Sequence, residues 1–227
     1  DTEVELNGTN LGLYNTDTTG QVSKLVMNAG NGAIADSSNL KEGTEVHFAA
    51  AAGTGRTFTL GKNITLKGNV TVANAGSEGE FIFGGNDGGQ DITLTSTGTS
   101  TNKLSKITFN AAANKSATLK LEGDAAYANE LSIGGAGTLN FTGHLKGDVT
   151  SAAAGTLLMK GGSVEGSIGA LGNLLNILGI DTTENIVVGS AANSEFHAAN
   201  IAFAEKDGGL EIHKNATVGS LGQIETD

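Results

Sequence analysis

Thr138-Leu139-Asn140-Phe141-Thr142-Gly143 and Thr156-Leu157-Leu158-Met159-Lys160-Gly161 are two copies of one phrase: apolar residues one position apart, led by threonine and closed by glycine. Earlier copies are Thr57-Phe58-Thr59-Leu60-Gly61 and Thr118-Leu119-Lys120-Leu121-Glu122-Gly123. Successive side chains of a strand point to opposite faces, so each phrase offers two apolar groups to one side. Each strand is too short to form a sheet alone, and the glycine that ends it lets the chain turn. Stacked in coils, such strands would share one inward apolar row.

Working outward, period-two apolar pairs continue on both sides of these phrases. They include Ile64/Leu66, Val70/Val72, Phe81/Phe83, Ile92/Leu94, Ile107/Phe109, Ile186/Val188 and Leu210/Ile212. Glycine-rich separators such as Gly134-Gly135-Ala136-Gly137 stand between them. Leu60 to Phe83 is 23 residues, Leu121 to Phe141 is 20 and Phe141 to Met159 is 18. An interval of 18–23 residues holding two or three strands suits one coil of a parallel β-helix, with like strands stacked about 4.8 Å apart. The best aligned neighbours are Gly137–Val149 and Gly155–Ile168, and asparagine and threonine at the turns would stack into ladders. An antiparallel sandwich, which also places strands every 8–12 residues, is the competing arrangement.

Composition agrees with a narrow core. Of 227 residues 38% are hydrophobic but only 4% aromatic, and tryptophan, proline and cysteine are absent, while glycine numbers 35. Without proline, the turns must use Gly, Asn, Asp and Ser, and every strand residue can donate to a ladder. Without cysteine there is no disulfide and no thiolate metal site. A net charge of −11 with a single arginine, Arg56, argues against nucleic acid as a partner. No apolar run reaches the roughly 20 residues of a membrane-spanning helix, and the start Asp1-Thr2-Glu3-Val4 lacks signal-peptide character. A piece of a longer, processed chain is the expected origin.

The sequence divides into residues 1–54, read as irregular first coils or a cap, and 55–169, read as regular coils. Residues 170–180 follow as a short helical insertion, and 181–227 as further coils. The insertion rests on Leu171, Leu174, Leu175 and Leu178, which fall at i, i+3, i+4 and i+7 on one helical face, with Gly179 as the stop. These four leucines are the candidate partner-binding residues. The fold expected is therefore all-β: a right-handed parallel β-helix with one short helix near 170–180.

No catalytic constellation stands out. Asp17, in Asn15-Thr16-Asp17, resembles one element of polygalacturonase-type hydrolases, but the Asp-Asp pair and the Arg-x-Lys that accompany it there are missing. His47, His144, His197 and His213 lie far apart in sequence without zinc-site spacing. Gly84-Gly85-Asn86-Asp87-Gly88-Gly89-Gln90-Asp91-Ile92 is similar to one turn of the calcium-binding nonapeptide roll, which needs adjacent identical turns. The sequons at Asn63 and Asn69 are what an Asn/Thr-rich chain produces by chance. The reading is no enzyme, no metal and no cofactor.

The Gly/Asn/Thr-rich coils, the lack of Cys and Pro, and Gly68-Asn69-Val70-Thr71-Val72 and Asn215-Ala216-Thr217-Val218-Gly219 carry a family resemblance over residues 55–225. The chain resembles bacterial autotransporter passenger domains, most closely the rickettsial surface cell antigens. That resemblance implies a β-helical passenger displayed on the bacterial outer membrane by a barrel, extracellular and not itself membrane-spanning. It implies a non-enzymatic adhesin that binds a host-cell surface protein receptor. The alternatives are a structural spacer or self-associating surface-layer element, and a polysaccharide-active β-helix enzyme.

Overall fold

The computed structural model describes residues 2–6, 11–13, 22–28, 30–34, 40, 42–49, 55–61, 64–74, 76–84, 88–123, 126–152, 154–204, 207–213 and 216–223. Among the described residues twenty strands run in order. The first five are β1 (Thr2–Leu6), β2 (Leu11–Leu13), β3 (Val22–Met27), β4 (Asn31–Ile34) and β5 (Thr44–Phe48). Then come β6 (Thr57–Leu60), β7 (Thr65–Val72), β8 (Gly76–Phe83), β9 (Asp91–Thr97) and β10 (Asn102–Phe109). The next five are β11 (Ser116–Leu121), β12 (Ala128–Ile133), β13 (Thr138–Leu145), β14 (Asp148–Ser151) and β15 (Thr156–Val164). The last are β16 (Leu175–Ile180), β17 (Asn185–Val188), β18 (Phe196–Phe203), β19 (Gly209–Ile212) and β20 (Ala216–Gln223).

Every pairing between these strands is parallel, and alternate strands of the chain are neighbours, as a coil requires. One sheet runs β1-β3-β5-β7-β9-β11-β13-β15-β16-β18-β20, and a second runs β14-β12-β10-β8-β6-β4-β2. The molecule is a parallel β-helix. Long strands serve two walls: Thr156–Met159 of β15 pairs with β16, whereas Ser163 and Val164 pair with β17. The antiparallel sandwich is excluded by this pairing.

The threonine-led phrase behaves as its alternation demands. Thr138 faces Thr156, Leu139 faces Leu157 and Phe141 faces Met159 one coil later. The apolar member of each pair is fully buried; Leu139, Leu157, Leu178 and Ile201 stack as one inward row, and the inward residues of both sheets join in a single core that reaches from Leu25 to Ile201. Phenylalanine rings fill the middle of the stack. Phe58 lies 6.0 Å from Phe81, and Phe83 lies 5.7 Å from Phe109 between centroids. Contacts of this kind add about 0.5–1.5 kcal/mol beyond area burial.

Outward side chains tie one coil to the next in a repeated diagonal bond. Thr71 donates to Glu45, Thr108 to Glu80 and Thr150 to Glu130, each threonine standing on the strand after its glutamate. Asparagines do the same for backbone carbonyls. Asn102 Nδ2 donates to Val72 O, Asn176 Nδ2 to Ala154 O and Asn200 Nδ2 to Asn176 O, at 3.0–3.2 Å. The ladders expected from the Asn/Thr content are thus present.

Three readings need correction or extension. The helix near 170–180 does not form: Leu175–Ile180 is strand β16, and Ala170 and Asn173 close a tight turn. A helix there would leave the edges of β15 and β18 without partners, and a segment of eleven residues has little helical stability of its own. Coil length also exceeds 18–23 residues in the first half. Hydrogen bonds between neighbouring coils span 24–30 residues from His47–Thr71 to Asn102–Val72, and shorten to 19–22 from His144–Ser163 to Asn176–Ala154. Corner loops such as Asn110–Lys115 lengthen a coil without disturbing the ladder, so strand phrases alone do not fix the repeat. Finally, the described part of residues 1–54 contributes β1 to β5 to the same two sheets as the rest.

The glycine closing a phrase turns the corner between walls. Gly143 has φ +126°, and a Cβ there would stand 2.4 Å from Leu121 O of the preceding coil. Gly172 has φ +85° but nothing within 4 Å of the added atom. Gly143→Ala should therefore cost more than about 2 kcal/mol, and Gly172→Ala only about 1 kcal/mol, the backbone share alone. Urea denaturation followed by circular dichroism measures both; equal losses would contradict the corner assignment.

Candidate binding surface

Arg56, the single arginine of the chain, has a structural place. It is buried, and its guanidinium donates to the carbonyls of Met27, at 3.2 Å, and Ala49. It therefore ties together the ends of β3 and β5, on two successive coils. That is a structural clamp: Arg56→Leu should lower the unfolding free energy by about 2–3 kcal/mol, measured by chemical denaturation.

The four histidines stay apart. His47 Nδ1 lies 2.7 Å from Thr71 Oγ1, His144 Nδ1 2.8 Å from Ser163 Oγ, His197 Nε2 2.9 Å from Glu195 and His213 Nε2 2.7 Å from Glu211. Three of them follow a glutamate by two positions, in Glu45-Val46-His47, Glu195-Phe196-His197 and Glu211-Ile212-His213. The middle residue points inward in Glu45-Val46-His47 and Glu195-Phe196-His197, although His197 is itself buried; the Glu-x-His spacing was readable from the sequence and is a feature missed there. Among the described residues no group of three or more His, Asp or Glu could hold a metal ion. Asp17 and Gly85-Asn86-Asp87 of the nonapeptide-like stretch lie outside the described residues.

Surface charge is mostly paired along the stack. Lys67 meets Glu42 at 2.6 Å, Lys106 meets Glu130 at 3.1 Å and Lys120 meets Glu122 at 2.8 Å. The hydrogen bond that Lys67 donates to Glu42 holds the pKa of its ammonium above the ordinary value, and the one to Glu165 does so for Lys146. The hydrogen bond from Lys120 holds the Glu122 carboxyl below the usual carboxylate range. A depressed carboxyl stabilises the fold above its unfolded pKa of about 4.3, and that contribution is lost as pH falls through the folded value. Glu122→Gln should consequently remove a small stabilisation that is present at pH 7 and disappears on acidification below about pH 4.3, so that the two stability profiles converge at low pH; denaturation midpoints across this range test it.

The partner-binding leucines do not share a face. Leu175 and Leu178 point into the core and are fully buried, Leu174 is half-buried, and Leu171 alone is exposed, at 81%. Leu171 and Gly172 form the tip of a two-residue turn. It is closed by Ala170 N to Asn173 O at 3.0 Å and Asn173 N to Ala170 O at 2.9 Å. The positive φ of Gly172 permits this turn.

That tip ends a ridge along one corner of the β-helix. Gly137 N donates to Ala111 O, and Thr156 N to Gly137 O, so the corner loops sit one above another. Their outward residues are small and mostly uncharged: Ala112 and Ala113, then Ala136, then Ala152 and Ala154, then Ala170 and Leu171, all exposed. The corner on the other side of the smaller sheet is polar instead, with Thr99, Ser100, Thr101, Lys146 and Glu165. Apart from the exposed Lys115 at the end of its first loop, this ridge is uncharged, so on a chain of net charge −11 most of it can be covered without stripping water from ions.

No protein-family model matches this chain, nor does any curated protein or solved structure. Among the described residues no helix is long and apolar enough to cross a membrane. The surface itself is open to test for structural cost. Leu171→Asp should leave stability within about 0.5 kcal/mol, whereas Leu178→Asp, which buries a charge, should abolish the folded state. Thermal unfolding separates the two, and a large loss in Leu171→Asp would mean the turn tip is packed.

Proposed function

We propose that this chain is a non-enzymatic passenger segment, displayed outside a bacterial cell, whose β-helix holds an adhesive ridge against a protein receptor of a host cell. The observation that carries the proposal is the uncharged corner ridge ending in the exposed Leu171. The scaffold suits export as an unfolded chain. It has no cysteine to cross-link early, and each coil contacts chiefly its neighbours, so folding can advance coil by coil. The resemblance of residues 55–225 to autotransporter passengers agrees with this reading. A second reading, a self-associating spacer, draws on Leu158 and Ile177, which stand half-buried on the outside of β15 and β16.

The test is saturable binding of the labelled protein to cultured mammalian cells, comparing the wild type with Ala136→Glu, Ala154→Glu and Leu171→Glu combined. Saturable binding that the triple variant loses by at least tenfold supports the ridge. Absence of wild-type binding would remove the adhesin reading for these coils. Mass growth with concentration in light scattering would favour the spacer, and release of reducing or unsaturated sugars would revive the polysaccharide-active alternative.

A further inference from the structure

Neighbouring strands of a stack keep their register when one face is apolar and the other polar, because a one-residue slip then turns the apolar set outward. β13 meets that condition, with Leu139 and Phe141 buried and Asn140 and Thr142 facing out. β15 and β16 do not. Leu157-Leu158-Met159 and Ile177-Leu178-Gly179-Ile180 are apolar on both faces, with Leu158 and Ile177 outside. A slip by one residue would still bury an apolar side chain, Ile177, with no polar residue of Ile177–Ile180 turned inward, so the two faces are less distinct here than in β13. The smaller sheet adds little here, since beyond β14 it continues only as the single bridges Val149–Ile168 and Ile168–Phe196.

One polar feature marks this junction, a bulge like those at Ser23 of β3 and Thr95 of β9 but with a charged residue at the extra position. Phe141 pairs with Met159 but Thr142 pairs with Gly161, so Lys160 is an extra residue bulged out of β15. Bulges re-aim a side chain. The Lys160 ammonium meets the carboxylate of Asp181, which is buried directly after β16, and Asp181 N donates to Met159 O at 2.9 Å. We propose that the Lys160–Asp181 pair is the register lock that docks the coils from β16 to β20 onto β15. A slip by one residue moves Asp181 about 3.3 Å along the strand and to the opposite face, which separates a buried carboxylate from its cation. Apolar packing supplies the attraction between these coils, and the ion pair selects one alignment.

Cysteine pairs read the register directly, because the chain contains no cysteine and facing residues of adjacent strands lie within disulfide reach. Thr156 faces Ile177 in the native alignment, and faces Leu178 after a slip of one. With Lys160 and Asp181 present, Thr156→Cys/Ile177→Cys should close under mild oxidation and Thr156→Cys/Leu178→Cys should stay reduced. In a Lys160→Met/Asp181→Leu background, the second pair should also close in a tenth or more of the chains. Amides of β16 should then exchange as two populations. The proposal is overturned if the first pair still closes fully and the second stays reduced in that background. Should that variant not fold, Asp181→Asn, which keeps the shape and removes the charge, carries the same cysteine pairs with the same two readings.

Discussion

A parallel strand leaves hydrogen-bonding groups on both its edges, and this structure depends on meeting that demand coil after coil. Each short strand is stable only because a like strand lies about 4.8 Å above and another below. The inward row of Val, Leu, Ile and Phe follows from the same constraint, since stacking identical phases brings like side chains together. Replacing a residue in the middle of the stack therefore disturbs two interfaces at once. The absence of proline fits this frame, because any strand position without an N–H would open a gap in the ladder to a neighbouring coil.

The same constraint explains where variation is permitted. Corners carry no ladder of their own, so loops there change length freely, from the six residues Asn110–Lys115 to the two-residue turn at Leu171-Gly172. Recognition surfaces are best placed at such corners, which can differ in sequence while the walls beneath remain unchanged. The outward faces of the walls are otherwise occupied by threonine–glutamate and lysine–carboxylate bonds that join coils. A side chain used in that way has less freedom to meet a partner, and the uncharged ridge is notable for carrying almost none of them.

Particular elements show why some of this was legible beforehand. Gly137–Val149 and Gly155–Ile168 align in the structure as they align in sequence, because alternation of Leu139/Phe141 with Asn140/Thr142 is unambiguous. Leu171 to Leu178 misled for the opposite reason. Leucines at i, i+3, i+4 and i+7 satisfy a helix, while Leu175, Leu178 and Ile180 also satisfy a strand with one irregular step. Only the presence of β15 and β18 on either side decides between them. The candidate surface was legible only at Leu171; alanines in separate loops carry no signal until stacking brings them to one corner.

The sequence by itself determined that this chain is built of many short strands, with a stack of coils as the favoured arrangement and a sandwich as its competitor. Glycine-closed alternating phrases, an almost ring-free outer surface and the lack of proline and cysteine leave few other ways to bury its apolar residues. Tertiary structure decided which phrase lies over which, how long each coil is and which leucine reaches solvent. Those outcomes depend on partners distant in sequence: a carbonyl of Leu121 beside Gly143, a lysine bulged toward Asp181, and two ladder edges that together make a strand of a segment with a helical pattern.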